Sequence, residues 1–323
     1  MELNQLELNQ LELVDLYLGY HGGVPFCDVK RLPGASASRQ PLEAAYAGEV
    51  AAIRTRCETV YDETRRPEFP LLHKGVRYRV TAFDNPNFGA PFFTLSRVSA
   101  KLYPLETLGL PEYIEKLLIS PSLRGLVLLC GAMSSGKTSS AASVLAHRLS
   151  TLGGLAMAVE DPIETLLDGM HGDGRCIQVE VSRTDGGYGE ALTRVLRARV
   201  GTVLVGEIRD EATAEKVLSL ASTDHLVIST IHASSPTAAL ELLYTYATKA
   251  GVKNAAGLVA RGISLVIYLQ MRKLSTGRAM LDPECVSFFE GNDAHVLRKM
   301  LADGDFGGLP EMFARQHKQS LHV

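Results

Sequence analysis

Within the first hundred residues, one segment has a hydrophobic pattern with a period of two. Between residues 76 and 83 apolar side chains alternate with polar or basic ones, which predicts a strand with one solvated face. A second strand is predicted over Phe92–Val98, after a turn rich in Asn, Pro and Gly. The sequence therefore predicts a small α+β domain over residues 1–100.

The pattern changes after residues 101–111, where two prolines and a glycine predict a linker. Beyond them, short apolar runs alternate with helical stretches. The predicted strands are Leu126–Cys130, Leu155–Val159, Val203–Val205 and Leu226–Ile228, and the predicted helices include Ser139–Leu149, Glu211–Leu220 and Thr237–Thr248. Apolar strands separated by helices indicate a parallel sheet covered on both faces. Residues 112–323 are thus predicted to form an α/β domain.

Composition and net charge limit the class of protein. Of 323 residues, 46% are hydrophobic, which is enough for a sizeable core. The 33 Lys and Arg nearly balance the 36 Asp and Glu, giving a net charge of −3. A protein that coats nucleic acid or an anionic bilayer through a polybasic surface is therefore disfavoured, although a local basic patch remains open.

Cysteine usage and hydropathy predict a cytoplasmic protein. The five cysteines are scattered without a CxxC pair, which favours a reducing compartment. The N-terminal residues lack a basic region followed by an apolar one, so a secretory signal is not expected. No apolar stretch approaches the length of a transmembrane helix, so any membrane association is expected to be peripheral, through a partner.

One segment carries a phosphate-binding signature. Residues 131–138 read Gly-Ala-Met-Ser-Ser-Gly-Lys-Thr and fit G-x-x-x-x-G-K-[ST] at every fixed position, between a predicted strand and a predicted helix. Backbone N–H groups and the helix N-terminus would then face an anion, with Lys137 reaching the β- and γ-phosphates and the Thr138 hydroxyl on Mg²⁺. The predicted nucleotide-binding residues are Gly131, Ser134, Ser135, Gly136, Lys137, Thr138 and Ser139.

Acidic residues and a histidine follow the other predicted strands of this domain. Glu160 comes directly after the second strand, Glu207 just after the third and His232 beyond the fourth. Carboxyl ends of strands bind ligands in open α/β sheets, so we expect these side chains to converge on the nucleotide. The competing interpretation is that these charges at the strand ends are only solvated. Two acidic clusters, residues 159–164 and 206–210, at matching positions after strands in a domain with a P-loop disfavour it.

The order of these motifs resembles the ATPases of the type II/type IV secretion superfamily, especially the pilus-retraction branch and its conjugative and type IV secretion relatives. Residues 159–164 are similar to the family's aspartate box, 203–210 to its Walker B segment and 225–232 to its histidine box. Residues 77–80 and 96–98 are similar to paired basic strands of its N-terminal domain. Four boxes in this order are more specific than any one of them.

The resemblance implies a RecA-like P-loop ATPase domain with a smaller N-terminal PAS-like α+β domain. It implies Glu160 as the general base, Glu207 as the carboxylate on the Mg²⁺ side and His232 as the γ-phosphate sensor. Arg79 and Arg97 are the candidates for N-terminal arginines that neutralise the phosphates, with solvated strand arginines as the competing interpretation. Family members use ATP and Mg²⁺ and act as hexamers on inner-membrane platform or secretion-complex proteins.

Three stretches depart from the family pattern. Arg197–Gly201 stands where Arg-x-Asp-Pro-Asp is common, and Asp224 replaces a glycine before the first histidine of its box. Residues 296–302 keep one arginine of the C-terminal retraction signature, Arg298, and lose the second. The last departure weakens a prediction of pilus retraction and leaves the ATPase residues intact.

The leading functional prediction is an ATP-hydrolysing ring motor at the cytoplasmic face of a pilus, conjugation or secretion machine. One alternative is a nucleic-acid translocase, which the near-neutral charge and the absence of Trp disfavour, so nucleic acid is not expected as a direct ligand. The other is a nucleotide-gated scaffold that scarcely hydrolyses ATP, which the altered turn at residues 199–201 keeps open.

Overall fold

The chain folds into two compact units, Met1–Ser99 and Ala100–Val323. The computed structural model describes residues 8, 11, 13–31, 40–42, 44–85, 89–99, 101–182, 186–273, 279–291 and 293–320. Each unit has its own hydrophobic core.

In its described residues, the first unit is an antiparallel sheet with one α-helix and a short 3₁₀ helix at Ala44–Tyr46. Its elements are β1 (Leu13–His21), β2 (Val24–Arg31), β3 (Gln40–Pro41), α1 (Ala47–Thr64), β4 (Glu68–His73), β5 (Val76–Phe83) and β6 (Phe92–Arg97). The strand order is β3-β2-β1-β6-β5-β4. Tyr78 and Val80 of β5 are buried in the core with Ile53 and Cys57 of α1, while Arg77 and Arg79 alternate with them. The predicted period of two therefore corresponds to one face packed against a helix.

The second unit alternates strands and helices. Its elements are α2 (Glu112–Leu118), β7 (Gly125–Gly131), α3 (Lys137–Leu152), β8 (Gly154–Glu160), β9 (Gly169–His171), β10 (Gly174–Glu180), α4 (Gly187–Ala198), β11 (Thr202–Val205), α5 (Glu211–Ala221), β12 (Leu226–His232), α6 (Pro236–Lys249), α7 (Ala255–Gly262), β13 (Ile263–Lys273), β14 (Ala279–Ser287), α8 (Ala294–Asp303) and α9 (Leu309–Ser320). All four strands predicted in this half are present, each extended by one to four residues.

Eight strands form the sheet of the second unit, in the order β14-β13-β7-β12-β11-β8-β10-β9. The strands from β13 to β10 pair in parallel, and the two edge strands, β14 and β9, are antiparallel. Strand β7 is buried along its whole length. Leu126 and Leu128 belong to one core cluster and Val127 and Leu129 to the other, because helices cover both faces. That double burial is why its sequence is a continuous apolar run.

The predicted linker of residues 101–111 packs as part of the second unit. It contains a 3₁₀ turn at Leu105–Leu108. Leu105, Leu108 and Leu110 are buried in the same core cluster as helix α3. Within the described part of the chain, no helix combines the length and the apolar character needed to cross a membrane.

Candidate functional site

Four neighbouring strands bring the predicted site residues of the second unit together at their carboxyl ends. Strands β7, β12, β11 and β8 lie side by side in that order and run in parallel. The loop after Gly131 leaves the end of β7, and His232 ends β12. Glu207 follows the end of β11, and Glu160 is the last residue of β8. The four motifs, scattered over a hundred residues of sequence, are therefore adjacent in space.

The loop from β7 to α3 is shaped by two glycines. Gly131 has a φ of +152°, and a Cβ on it would lie 2.3 Å from the carbonyl oxygen of Leu269. Gly136 has a φ of +88° and is the N-cap of α3. The helix begins at Lys137, two residues before the predicted start, so Lys137, Thr138 and Ser139 form its first turn. Their N–H groups have no partner within the helix, which suits the binding of an anion.

Lys137 is buried at this loop, and the residue is 6% exposed. It donates hydrogen bonds to the carbonyl oxygens of Gly131 (3.0 Å) and Ala132 (2.7 Å) and to Nδ1 of His232 (3.3 Å). Burial lowers the pKa of Lys137, and the nearby charge of Glu207 opposes that shift. The ammonium group thus has three acceptors, two in the loop and one on His232, which hold it beside the first turn of α3.

His232 and Glu207 continue the network that begins at Lys137. An ammonium group can only donate, so Nδ1 of His232 must accept and the ring proton is assigned to Nε2. Nε2 lies 3.0 Å from Oε1 of Glu207, and Nε of Arg209 lies 2.5 Å from Oε2 of the same carboxylate. Both oxygens of Glu207 are therefore held by protein groups, His232 and Arg209.

Glu160 is a buried carboxylate, 2% exposed. Burial, the largest influence, raises its pKa from 4.5 to about 7, against hydrogen bonds from Gln178 and the backbone of Glu164. The side-chain amide of Gln178 donates to Oε1 of Glu160 over 2.6 Å. A carboxylate with a pKa near neutrality is suited to general base catalysis.

Ser135 offers a further polar group to this site. Its hydroxyl is buried and lies without a hydrogen-bond partner, a condition shared among the described residues only by Ser140 Oγ and Asp293 Oδ2. Its oxygen is also 2.6 Å from the position that a Cβ on Gly131 would occupy, so it lies close to the first glycine of the loop. Buried hydroxyls are normally paired, and one beside an anion cradle fits an oxygen ligand such as phosphate.

The two predicted arginines lie in the first unit, on neighbouring strands. Arg79 of β5 pairs with Ser96 of β6, and Arg97 pairs with Tyr78. Since side chains alternate along a strand, the register places Arg79 and Arg97 on opposite faces of the sheet. Arg97 donates a hydrogen bond to the carbonyl oxygen of Leu11 over 3.2 Å. Their role at the phosphates stays a prediction.

Three polar residues near the carboxyl ends of these strands were not predicted as site residues. Arg209 contacts Glu207, and Gln178 contacts Glu160. The Tyr188 hydroxyl lies so close to Gly206 that a Cβ on this glycine would be only 2.9 Å from it. Arg209 lies within the Walker B segment and could have been proposed from its spacing. Gln178 and Tyr188 lie in elements whose strand or helix neighbours cannot be identified from the sequence.

The fold and these strand-end residues define a P-loop domain of the RecA-like α/β class. The sequence model of the Type II/IV secretion system protein family matches residues 94–295. The chain belongs to this family, as the motif order predicted.

Two relatives from Pseudomonas aeruginosa match the region around the site. The type IV pilus ATPase PilU is 33% identical over 184 residues, covering 56% of this chain and 46% of PilU. The type IV pilus retractation ATPase PilT is 36% identical over 179 residues, covering 54% of this chain and 49% of PilT. The matched region thus spans about half the length of these relatives.

A solved structure of the pilus retraction motor PilT with bound ADP has the same fold. It superposes with a TM-score of 0.76 at 21% identity, over 94% of this chain and 86% of that one. This match confirms the predicted fold class, a RecA-like domain with a smaller N-terminal α+β domain. At this identity the likeness concerns the fold alone.

Proposed function

We propose that this protein is an ATPase that works as a motor subunit of a pilus, conjugation or secretion machine. One observation carries the proposal. A complete P-loop, a histidine, the Glu207 carboxylate and the buried Glu160 carboxylate lie at the ends of four adjacent parallel strands. The similarity to proteins named as type IV pilus ATPases supports the choice of nucleotide and of machine.

The chemistry would be in-line attack of water on the γ-phosphate. Glu160 would accept a proton from the attacking water, as its burial and its pKa near 7 suit it to do. Lys137 would exchange its carbonyl partners in the loop for phosphate oxygens and neutralise their charge. His232, between Lys137 and Glu207, would sense the γ-phosphate.

The residues at the site fit Mg²⁺. Thr138, in the first turn of α3, and Glu207 offer the hard oxygen donors that Mg²⁺ prefers. Among the described residues, no group of three or more His, Cys, Asp or Glu could hold a metal by itself, so the ion would arrive with the nucleotide. Both Glu207 oxygens accept hydrogen bonds, which favours contact through water. When bound, Mg²⁺ supplies charge neutralisation at the phosphates.

The working form would be a hexameric ring of this chain at the cytoplasmic face of the inner membrane. Its partners would be platform or secretion-complex proteins, a choice supported by membership of the type II/IV secretion family and by the similarity to type IV pilus ATPases. Arg79 and Arg97 would contribute positive charge to the nucleotide site, and nucleic acid is not expected as a direct ligand.

Steady-state ATP hydrolysis by purified protein, measured over a range of protein concentrations, tests this proposal. We expect turnover per subunit to rise as rings assemble. Lys137→Ala should abolish turnover, and Glu160→Gln should lower kcat by about 100-fold or more while retaining nucleotide binding. Matched controls are Lys116→Ala and Glu241→Gln, since both side chains are exposed on helices of the same unit.

The outcomes separate the competing functions. Nucleotide binding without turnover at any concentration would indicate a gated scaffold instead of a motor. Turnover that requires DNA and falls steeply with salt would indicate a translocase. Normal turnover by the Glu160→Gln protein would remove Glu160 from the role of base.

A further inference from the structure

The side chain of Gln178 links Glu160 by hydrogen bonds to the loop that follows Glu160. Its Nε2 donates to Oε1 of Glu160 (2.6 Å) and to the carbonyl oxygen of Thr165 (2.7 Å). Its Oε1 accepts from the backbone N–H groups of Leu167 (3.0 Å) and Asp168 (3.3 Å). The Asp168 carboxylate in turn accepts from the backbone N–H of Gln178 over 3.0 Å.

This network fixes which end of the amide faces Glu160. Two backbone N–H groups can be satisfied only by the amide oxygen, and a carbonyl oxygen only by the amide nitrogen. The amide therefore cannot flip, and it always presents a donor to Glu160. A donor at this position pairs with an acceptor oxygen, so it favours the ionised carboxylate.

The sheet register explains how a residue 18 positions away reaches Glu160. Strand β10 pairs in parallel with β8, with Gln178 opposite Ala158 and Glu180 opposite Glu160. Gln178 and Glu160 consequently project from the same face of the sheet. Ala158 packs in the core cluster that contains α3, so this is also the face of the P-loop helix.

We propose that Gln178 is a positioning residue for hydrolysis, holding the Glu160 carboxylate in the orientation and the acceptor state that a general base requires. This inference rests on the proposed function. Gln178 itself would touch neither nucleotide nor water, and it would act through Glu160. Its loss should therefore reduce the chemical step more than nucleotide binding.

Other charged and titratable groups also act on Glu160. Glu164 in the following loop and Glu180 on β10 raise its pKa by their negative charge, and Tyr188 on α4 and Cys176 on β10 lie within its electrostatic reach. Burial raises its pKa most, and the Gln178 hydrogen bond opposes it. Removing that donor should move the acidic limb of the kcat–pH profile to higher pH.

The test compares the full-length wild type with Gln178→Met and Gln178→Glu in steady-state ATP hydrolysis from pH 5.5 to 9. Gln178→Met removes the donor at similar length. Gln178→Glu also keeps an acceptor for the N–H groups of Leu167 and Asp168 but sets a carboxylate against Glu160. We expect both to lower kcat at pH 7.5 by about 10- to 100-fold, with KM within about twofold and the acidic limb shifted upward.

Arg175→Gln is the matched control, because Arg175 is an exposed residue of the same strand. It should leave kcat, KM and the pH profile unchanged. Unaltered kcat and pH profile in both Gln178 variants, alongside an inactive Glu160→Gln protein, would overturn the inference alone. Loss of ADP binding equal to the loss of kcat would overturn it too, since it would indicate a structural role. A wild type that does not hydrolyse ATP would overturn the proposed function and this inference with it.

Discussion

At the residue scale, the burial that raises the pKa of Glu160 also lowers the free energy of unfolding at neutral pH. A buried carboxylate must lose its proton without the solvation of water, and its pKa of about 7 reflects that cost. Between pH 4.5 and 7 the folded chain keeps a proton on Glu160 that the unfolded chain has lost. The contribution of Glu160 to the free energy of unfolding therefore declines as pH rises through this window, by on the order of 3 kcal/mol in total.

Glu160→Gln should accordingly be more stable than the wild type above pH 7. A glutamine keeps an oxygen that can accept from Gln178 and never has to ionise, so we expect a gain of about 1–3 kcal/mol at pH 8 and little difference at pH 5. Chemical unfolding without nucleotide at the two pH values measures this, with Glu241→Gln as the control. A gain of equal size at both pH values would contradict the burial of an ionised Glu160.

At the element scale, Arg298 joins the C-terminal helices to the sheet. It lies in α8 and donates through Nη1 to the carbonyl oxygens of Ala260 and Arg261, in the last turn of α7. Its Nε donates to the carbonyl oxygen of Phe288, just after β14, over 2.8 Å. The single arginine retained from the C-terminal family signature thus caps one helix and anchors another, because carbonyls at a helix end have no partner within the helix.

Replacing Arg298 by Met should destabilise this corner of the fold. Three carbonyl groups would lose a charged donor, which we expect to lower the free energy of unfolding by roughly 2–3 kcal/mol. Lys299→Met is the control, since Lys299 is the exposed neighbour in the same helix. Thermal unfolding and hydrogen exchange of α7 and α8 are the measurements, and unchanged exchange in both helices would disprove the capping role.

At the scale of the whole molecule, the two units have separate cores. The first is built around α1 and its sheet, with Ile53, Phe93 and Leu95 fully buried. The second has two clusters, one on each face of the eight-stranded sheet, and both are made of residues beyond 100. Because no cluster of the described residues includes residues of both units, a cavity in one core should affect mainly the stability of its own unit.

Ile53→Ala tests that separation. Ile53 is completely buried, so we expect the substitution to destabilise the first unit by about 2–5 kcal/mol. Hydrogen exchange should accelerate in α1 and β4–β6 and remain unchanged in β7 and α3. The control is Ala52→Ser, at the exposed neighbouring position. Equal acceleration in β7 would show that the two cores unfold together.

Much of the second unit could be predicted because its strands are buried on both faces. Apolar runs such as those of β7 and β12 stand out from the helices between them, and the P-loop signature marks where the first strand ends. In contrast, α1 buries only a narrow stripe of five residues, one of them an arginine, so its hydrophobic pattern does not stand out. The β13–β14 pair and α7–α9 were likewise not predicted, although residues 263–269 of β13 form an apolar run comparable with that of β7.

The amino-acid sequence by itself determined the family, the phosphate-binding loop and the strand-end positions of Glu160, Glu207 and His232, because local pattern and spacing encode them. Only the tertiary structure decided the lateral order β7-β12-β11-β8, which makes the four motifs neighbours. It also decided that Gln178 holds Glu160 and that Arg209 holds Glu207. The contact between Gln178 and Glu160 depends on strand pairing and register, which are set by burial and hydrogen bonding across the whole sheet.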